Sequence, residues 1–327
     1  MSDTNNRSNL DIDEQVSEHE SRGQRQESPS RSGPSRRQTL KAIAGASLLP
    51  GVALSSDTVA AQSGTIIDSE DSSAVSVTGT WPTSTYNSNY VGSNYRHDDD
   101  SGKGSKSVTY TPDLPTDDPY NVFLYWNSSS NRATNIPVDI DYNGGSTTVT
   151  VDQTTSGGQW NHVGTHQFTS GAGESISIRN DGTNEFVIAD AVNFARATLD
   201  SEDSSGVSIT GSWTSSTYTS GYRGDNYKHD GDGGKGDRSV QYGPAIPADG
   251  DYTVSIWYTD GKNRATNTKI DVAGKHSTYT ETVNQTQNGS QWVTLGTYTL
   301  DSTATVTIRN GNTDGYVVAD AVKFVPA

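Results

Sequence analysis

The stretch YNVFLYW, residues 120–126, carries the pattern that decides the fold. Tyr120, Val122, Leu124 and Trp126 fall on one side of an extended chain, and Asn121, Phe123 and Tyr125 on the other, because successive strand side chains point to opposite faces. The segment DYTVSIWYT, residues 251–259, repeats the arrangement. There Tyr252, Val254, Ile256 and Tyr258 take the first face, and Thr253, Ser255 and Trp257 the second. The first face is the one expected to enter a core. Short runs of the same kind, among them SVTYT, PVDIDY, TTVTV, WNHVGTHQF and SISIR, are separated by Gly, Asp, Asn and Ser turns. No helical stripe interrupts them. The expectation is an all-β chain built as tandem jelly-roll-type sandwiches of about eight or nine strands each. Trp81, Trp160, Trp213 and Trp292 are expected to anchor the cores.

The resemblance between the two strands extends through most of the chain. Shifted by 132 residues, IDSEDSSAVSVTGTW (67–81) falls on LDSEDSSGVSITGSW (199–213), NYRHDDDSGKG (94–104) on NYKHDGDGGKG (226–236), and NRATN (131–135) on NRATN (263–267). After a two-residue contraction VIADAVNFA (187–195) meets VVADAVKFV (317–325). A period this long suits duplicated globular domains rather than a solenoid. The domains are placed at 66–196 and 199–327. About four residues between Phe194 and Leu199 are too few for a loose tether.

Ahead of the repeats, residues 1–34 hold little that can be buried and are expected to stay disordered. SRRQTLK follows, with Arg36 and Arg37 before a modest apolar run ending at Leu54. The run is too short to span a bilayer, which takes about 20 residues. Residues 35–61 resemble a twin-arginine (Tat) signal, with cleavage expected before Gln62. A secreted or cell-surface location follows, without a transmembrane span in the mature chain.

The 327 residues carry 39 Asp+Glu against 23 Lys+Arg, a formal charge of −16. Such a chain lacks the clustered cations that a nucleic-acid backbone requires, so a nucleic-acid partner is excluded. The acidic balance fits work in high salt. Without cysteine there is neither a disulfide nor a thiolate nucleophile. No nucleophile elbow, zinc-protease helix or phosphate loop is present, so no catalytic residue is assigned.

Two kinds of site remain. Sugars need an aromatic face flanked by planar polar groups. Tyr125, Asn131, Arg132 and Asn135, with Tyr90 and Tyr95, supply both in the first copy. Trp257, Asn263, Arg264, Asn267, Tyr222 and Tyr227 answer them in the second. The alternative is that Arg132 pairs with a carboxylate and the tyrosines cover a sandwich edge. Carboxylates are the second kind. Asp68 and Asp190, with Asp200 and Asp320, lie where the opening and closing strands meet, and Asp98 and Asp100, with Asp230 and Asp232, sit in the H-D-x-D-x-G-K-G loops. No cofactor is demanded. Structural calcium is the ion such oxygens would take, and solvated or hydrogen-bonded turn aspartates are the alternative. The sequons at Asn127, Asn284 and Asn288 fit a surface location.

Taken in order, the D-x-E-D opening, G-x-W, N-R-A-T-N, V-x-Q-T, G-x-Q-W and terminal A-D-A-V-x-F resemble the golvesin C-terminal-like module, also known as the carbohydrate-binding-like domain of xanthan lyases. The resemblance covers nearly all of 66–327, twice. It implies β-sandwiches that bind polysaccharide or surface glycan, in a family whose modules usually accompany a catalytic domain. A non-catalytic glycan-binding protein is the first expectation. A structural protein meeting other cell-surface proteins or copies of itself is the second, and a lyase or hydrolase the third.

Overall fold

The computed structural model describes residues 61–171 and 173–327, so the expected disordered region and Arg36 and Arg37 lie outside the described residues. No helix occurs among them, and none is long and apolar enough to cross a membrane. In the first repeat, β1 (Thr65–Asp68), β12 (Ala191–Arg196), β6 (Asp118–Tyr125) and β9 (Trp160–Phe168) form one sheet in that spatial order. The facing sheet runs β2 (Val75–Thr78), β5 (Ser107–Tyr110), β10 (Ser175–Arg179), β7 (Ile136–Tyr142), β8 (Gly145–Val151). Set β2 aside and number the remaining eight in chain order. The sheets then read first, eighth, third, sixth and second, seventh, fourth, fifth, the doubled Greek key of a jelly roll.

Alternation along the strands fills the space between the layers. Ile67, Tyr120, Val122, Leu124, Val192 and Phe194 from the first sheet meet Val108, Tyr110, Val138, Ile140, Ile176 and Ile178 from the second in one buried cluster. Phe168 stands edge-on to both Tyr120 and Phe194, at 6.1 and 5.4 Å between ring centres. The second repeat reproduces both sheets with β13–β24, from Thr198 to Pro326.

The expected single closing strand is two. IADAVNF breaks at Asp190: β11 (Ile188–Ala189) joins a small third sheet with β4 (Tyr95–His97) and β3 (Thr83–Ser84), and β12 returns to the main one. Gln153, buried, bridges the same segment. Its amide donates to the Ile188 carbonyl at 2.9 Å and accepts the Ile188 N–H at 2.8 Å, as a neighbouring strand would. Gln285 does this for Val318. The glutamine of V-x-Q-T is thus a one-residue strand surrogate, satisfying backbone groups that burial would otherwise leave unpaired.

The tryptophan expectation needs correcting. Trp81 is buried and Trp213, half-exposed, packs against the second core, whereas Trp160 and Trp292 are half-exposed outside the cores, Trp160 beside Phe123 and Ala195 and Trp292 against Trp257. The outer face of β6 is also less open than its alternation suggests. Phe123 and Ala195 are buried against Ala245 of the second repeat, and the Asn121 amide donates to the Phe324 carbonyl at 3.0 Å. Arg196 is clasped by Asp118 at 2.7 Å and Asp203 at 2.9 Å. The connecting residues Ala195, Ala197, Thr198 and Leu199 are all buried, so the two sandwiches are packed rather than strung together. At the position equivalent to Phe123 the second repeat has Ser255, whose cross-strand neighbours are Thr294 and Lys323.

Candidate functional site

The third sheet and the N-R-A-T-N loop enclose a cleft of about 510 Å³, lined among others by Tyr86, Asn87, Tyr95, His97, Asn131, Arg132 and Phe186. Backbone bonds fix its walls. Arg132 forms a parallel bridge with Phe186, and the Ala133 N–H donates to the Phe186 carbonyl at 2.8 Å. Rings run along it in sequence: Tyr90 to Tyr95 at 6.1 Å, Tyr95 to His97 at 6.5 Å, His97 to Phe186 at 6.0 Å. The second repeat holds the same ladder, Tyr222, Tyr227, His229 and Tyr316, at 6.1, 6.2 and 5.7 Å.

At the mouth stands Tyr86, 92 % exposed, with Tyr218 at 95 % in the other copy. A serine hydroxyl two residues back accepts each tyrosine's own N–H, Ser84 for Tyr86 and Ser216 for Tyr218, both at 3.2 Å. The bond holds the backbone of the turn from which the ring projects.

Arg132 forms the floor and is only 6 % exposed. It donates to Asn127 Oδ1 at 2.8 Å and Asn131 Oδ1 at 2.9 Å. Burial pulls its guanidinium below the ordinary value. Arg264, 8 % exposed, donates to Asn263 Oδ1, Thr219 Oγ1 and the Tyr227 hydroxyl at 3.2, 3.2 and 3.3 Å. The alternative that Arg132 pairs with a carboxylate is not what the structure shows. His97 Nδ1 accepts the Asp99 N–H and His229 Nδ1 the Gly231 N–H, which leaves Nε2 as the protonated nitrogen of each neutral ring. Burial first, and the nearby arginine with it, lowers both imidazole values, so both rings are neutral at pH 7.

The remaining aromatic and amide candidates lie elsewhere. Tyr125 pairs with Trp160 at 5.2 Å, and Trp257 with Trp292 at 5.4 Å, where Arg223 covers both indoles. These pairs belong to the main sheet and do not line the cleft described above. Asn135 and Asn267 latch a loop instead: their amides donate to the Gly182 and Asn312 carbonyls at 2.9 and 3.0 Å. Asn127 is buried beneath Arg132, so its sequon is closed in the folded protein.

Among the described residues no three His, Asp or Glu side chains converge as a metal cluster. Asp98 and Asp100 hold the Lys103 ammonium, at 2.8 and 3.0 Å, where calcium was one reading; Asp230 and Asp232 hold Lys235 at 2.9 and 3.0 Å. Asp98 also accepts from Val187 N and Asn180 Nδ2. Burial pushes its carboxyl up, but Lys103 and these donors together bring it below the ordinary value. Asp190 differs. Fully buried, its carboxylate accepts, among the described residues, only from the Val91 N–H, at 3.2 Å, and it shares the site with Asp68, whose Oδ2 is buried without a partner. Burial pushes Asp190 and Asp320 up to about 8 and Asp200 to about 7.

Phe186 and Tyr316, and the two histidines as cleft members, escaped sequence reasoning because they reach the arginine only through folding. The available signal was the aromatic that precedes V-I-A-D and V-V-A-D in both copies.

Two jelly rolls in series, each carrying the same ladder of rings beside a buried arginine, define a tandem β-sandwich module protein. The chain belongs to the Golvesin C-terminal domain family, whose model matches residues 65–196 and again 197–326. A xanthan lyase from Bacillus sp. (strain GL1) is 45 % identical over 132 residues, which is 39 % of this chain and 14 % of the lyase. The solved Paenibacillus xanthan lyase is similar at 29 % identity and a TM-score of 0.40, covering 77 % of this chain and 25 % of that one. A cycloalternan-forming enzyme from Listeria monocytogenes, solved with a pentasaccharide, matches at 16 % identity and a TM-score of 0.32 over 72 % of this chain and 20 % of its own. The chain thus spans a small part of each of these relatives.

Proposed function

We propose that this protein is exported and binds polysaccharide or cell-surface glycan without transforming it, through the paired clefts. The observation that carries the reading is the duplicated outward tyrosine, Tyr86 and Tyr218, each above a floor of arginine, asparagine and neutral histidine. A tyrosine left in water at the mouth of a polar cleft has an apolar face to offer to sugar C–H groups, while the floor supplies hydroxyl partners. Family membership and the likeness to a segment of xanthan lyase support a glycan as the partner. The packed connection supports two sites held at set spacing, so that a repeating polymer gains avidity without new contacts.

Affinity electrophoresis of residues 62–327 through gels containing polysaccharide tests this. Retardation is expected, and Tyr86→Ala with Tyr218→Ala should weaken it roughly tenfold per site, about 1–2 kcal/mol for each ring. Both tyrosines are exposed, so the melting temperature should move by less than about 0.5 kcal/mol equivalent. Unchanged migration on every polysaccharide, or retardation indifferent to both tyrosines, would defeat the reading.

A further inference from the structure

Four described cations are buried: Arg132, Arg196, Lys228 and Arg264. Two of them follow the usual rule that a buried charge is paired. Arg196 has Asp118 and Asp203, and Lys228 has Glu202. The other two, at the floor of the clefts, have no carboxylate partner among the described residues. Their hydrogen-bond partners are neutral oxygens: Asn127, Asn131 and the Tyr95 hydroxyl in one copy, and Thr219, Asn263, Tyr227 and the Thr259 carbonyl in the other. Arg132 Nε is buried with no partner at all. Carboxylates are not scarce in a chain with 39 of them, and Asp98 and Asp230, each next in sequence to a cleft histidine, are turned to Lys103 and Lys235. The second copy changes the neighbouring side chains from Asn127 and Asn87 to Thr259 and Thr219 yet keeps the arginine without an acid.

A guanidinium taken out of water and left without a counter-charge is costly, and that cost is recovered when an anion arrives. We infer that the clefts select acidic sugar units, whose carboxylate or sulfate supplies the missing counter-ion to Arg132 and Arg264. This deepens the glycan-binding reading and rests on it. With a net charge of −16 the protein has no general attraction for polyanions, so the selection has to come from these two positions.

The test is isothermal titration of residues 62–327 with three tetrasaccharides: neutral maltotetraose, tetragalacturonate, and a sulfated carrageenan tetrasaccharide. At least tenfold tighter binding of one or both acidic sugars, weakening as NaCl rises, is expected, and which of them binds distinguishes carboxylate from sulfate recognition. Arg132→Gln with Arg264→Gln should erase the preference, and Arg132→Lys with Arg264→Lys, which keeps the charge if the glutamine variant fails to fold, should retain part of it. Equal affinity for neutral and acidic sugars would overturn the selectivity while leaving glycan binding in place. A preference that survives in the folded glutamine variant would overturn the assignment to these arginines. No binding of any of the three would count against both this inference and the reading beneath it.

Discussion

Stability is expected to fall as pH rises from about 4 to about 8, and replacing Asp190 and Asp320 by asparagine should flatten that fall. Both carboxyls are pushed up to about 8 by burial, against about 3.8 unfolded. In that window the folded state holds more protons than the unfolded one, so stability falls as pH rises, and the loss is complete once pH passes the folded value. Each unit of separation is worth about 1.4 kcal/mol, which makes the effect several kcal/mol for each site. The histidines run the other way. Burial lowers His97, His162, His166 and His229, so their contribution is lost as pH falls through the unfolded value near 6.5. Because the variant and the wild type share those histidines, the difference between their melting curves isolates the aspartates. Melting temperatures from pH 4 to pH 9 should diverge steadily, with the variant above the wild type on the alkaline side. Parallel curves would show that the carboxyls are ionised throughout.

The second large effect is expected at Gln153 and Gln285. Leucine at either position keeps the volume but leaves a backbone N–H and a carbonyl of Ile188 or Val318 buried and unpaired. At about 1–3 kcal/mol for each of the two orphaned groups, the loss is about 2–6 kcal/mol. Urea denaturation followed by tryptophan fluorescence should show the midpoint falling. Asparagine, one methylene shorter, should also fail to rescue it, because the amide must reach both groups at once. A shift smaller than about 0.5 kcal/mol, the scale of ordinary surface changes, would mean that the strand does not depend on the glutamine.

The two predictions share a location. Asp190 marks the point where the closing segment leaves the small sheet for the main one, and Gln153 holds the residues just before it. This hop is what sets the cleft, since β11 carries one wall and Phe186 lies two residues before it. A polar break inside a buried segment is therefore the means by which one chain serves both the sandwich and the site.

Much of this was legible in the residues. The alternation of YNVFLYW and its counterpart placed Val122, Leu124, Val254 and Ile256 in the cores, because a strand has period two and its inward face must find apolar neighbours. The ordered motifs shared by the two halves gave the duplication, and N-R-A-T-N put asparagine and arginine beside one another in each copy. Sequence reading also raised Tyr90 and Tyr95 with Arg132, though it joined Tyr125 and Asn135 to them. Tyr125 does lie on the face away from the core, but its ring meets Trp160 across the main sheet rather than the cleft.

Periodicity and repetition fixed the all-strand, duplicated architecture, since both follow from local backbone geometry and from which side chains avoid water. Tertiary structure alone decided which side chains share a cleft, that the outer face of the first sandwich is covered by the second, and that Arg132 and Arg264 are buried without an acid. Those facts depend on contacts between residues tens of positions apart, and a charge's partner, unlike its face on a strand, is set by the fold rather than by its neighbours in the chain.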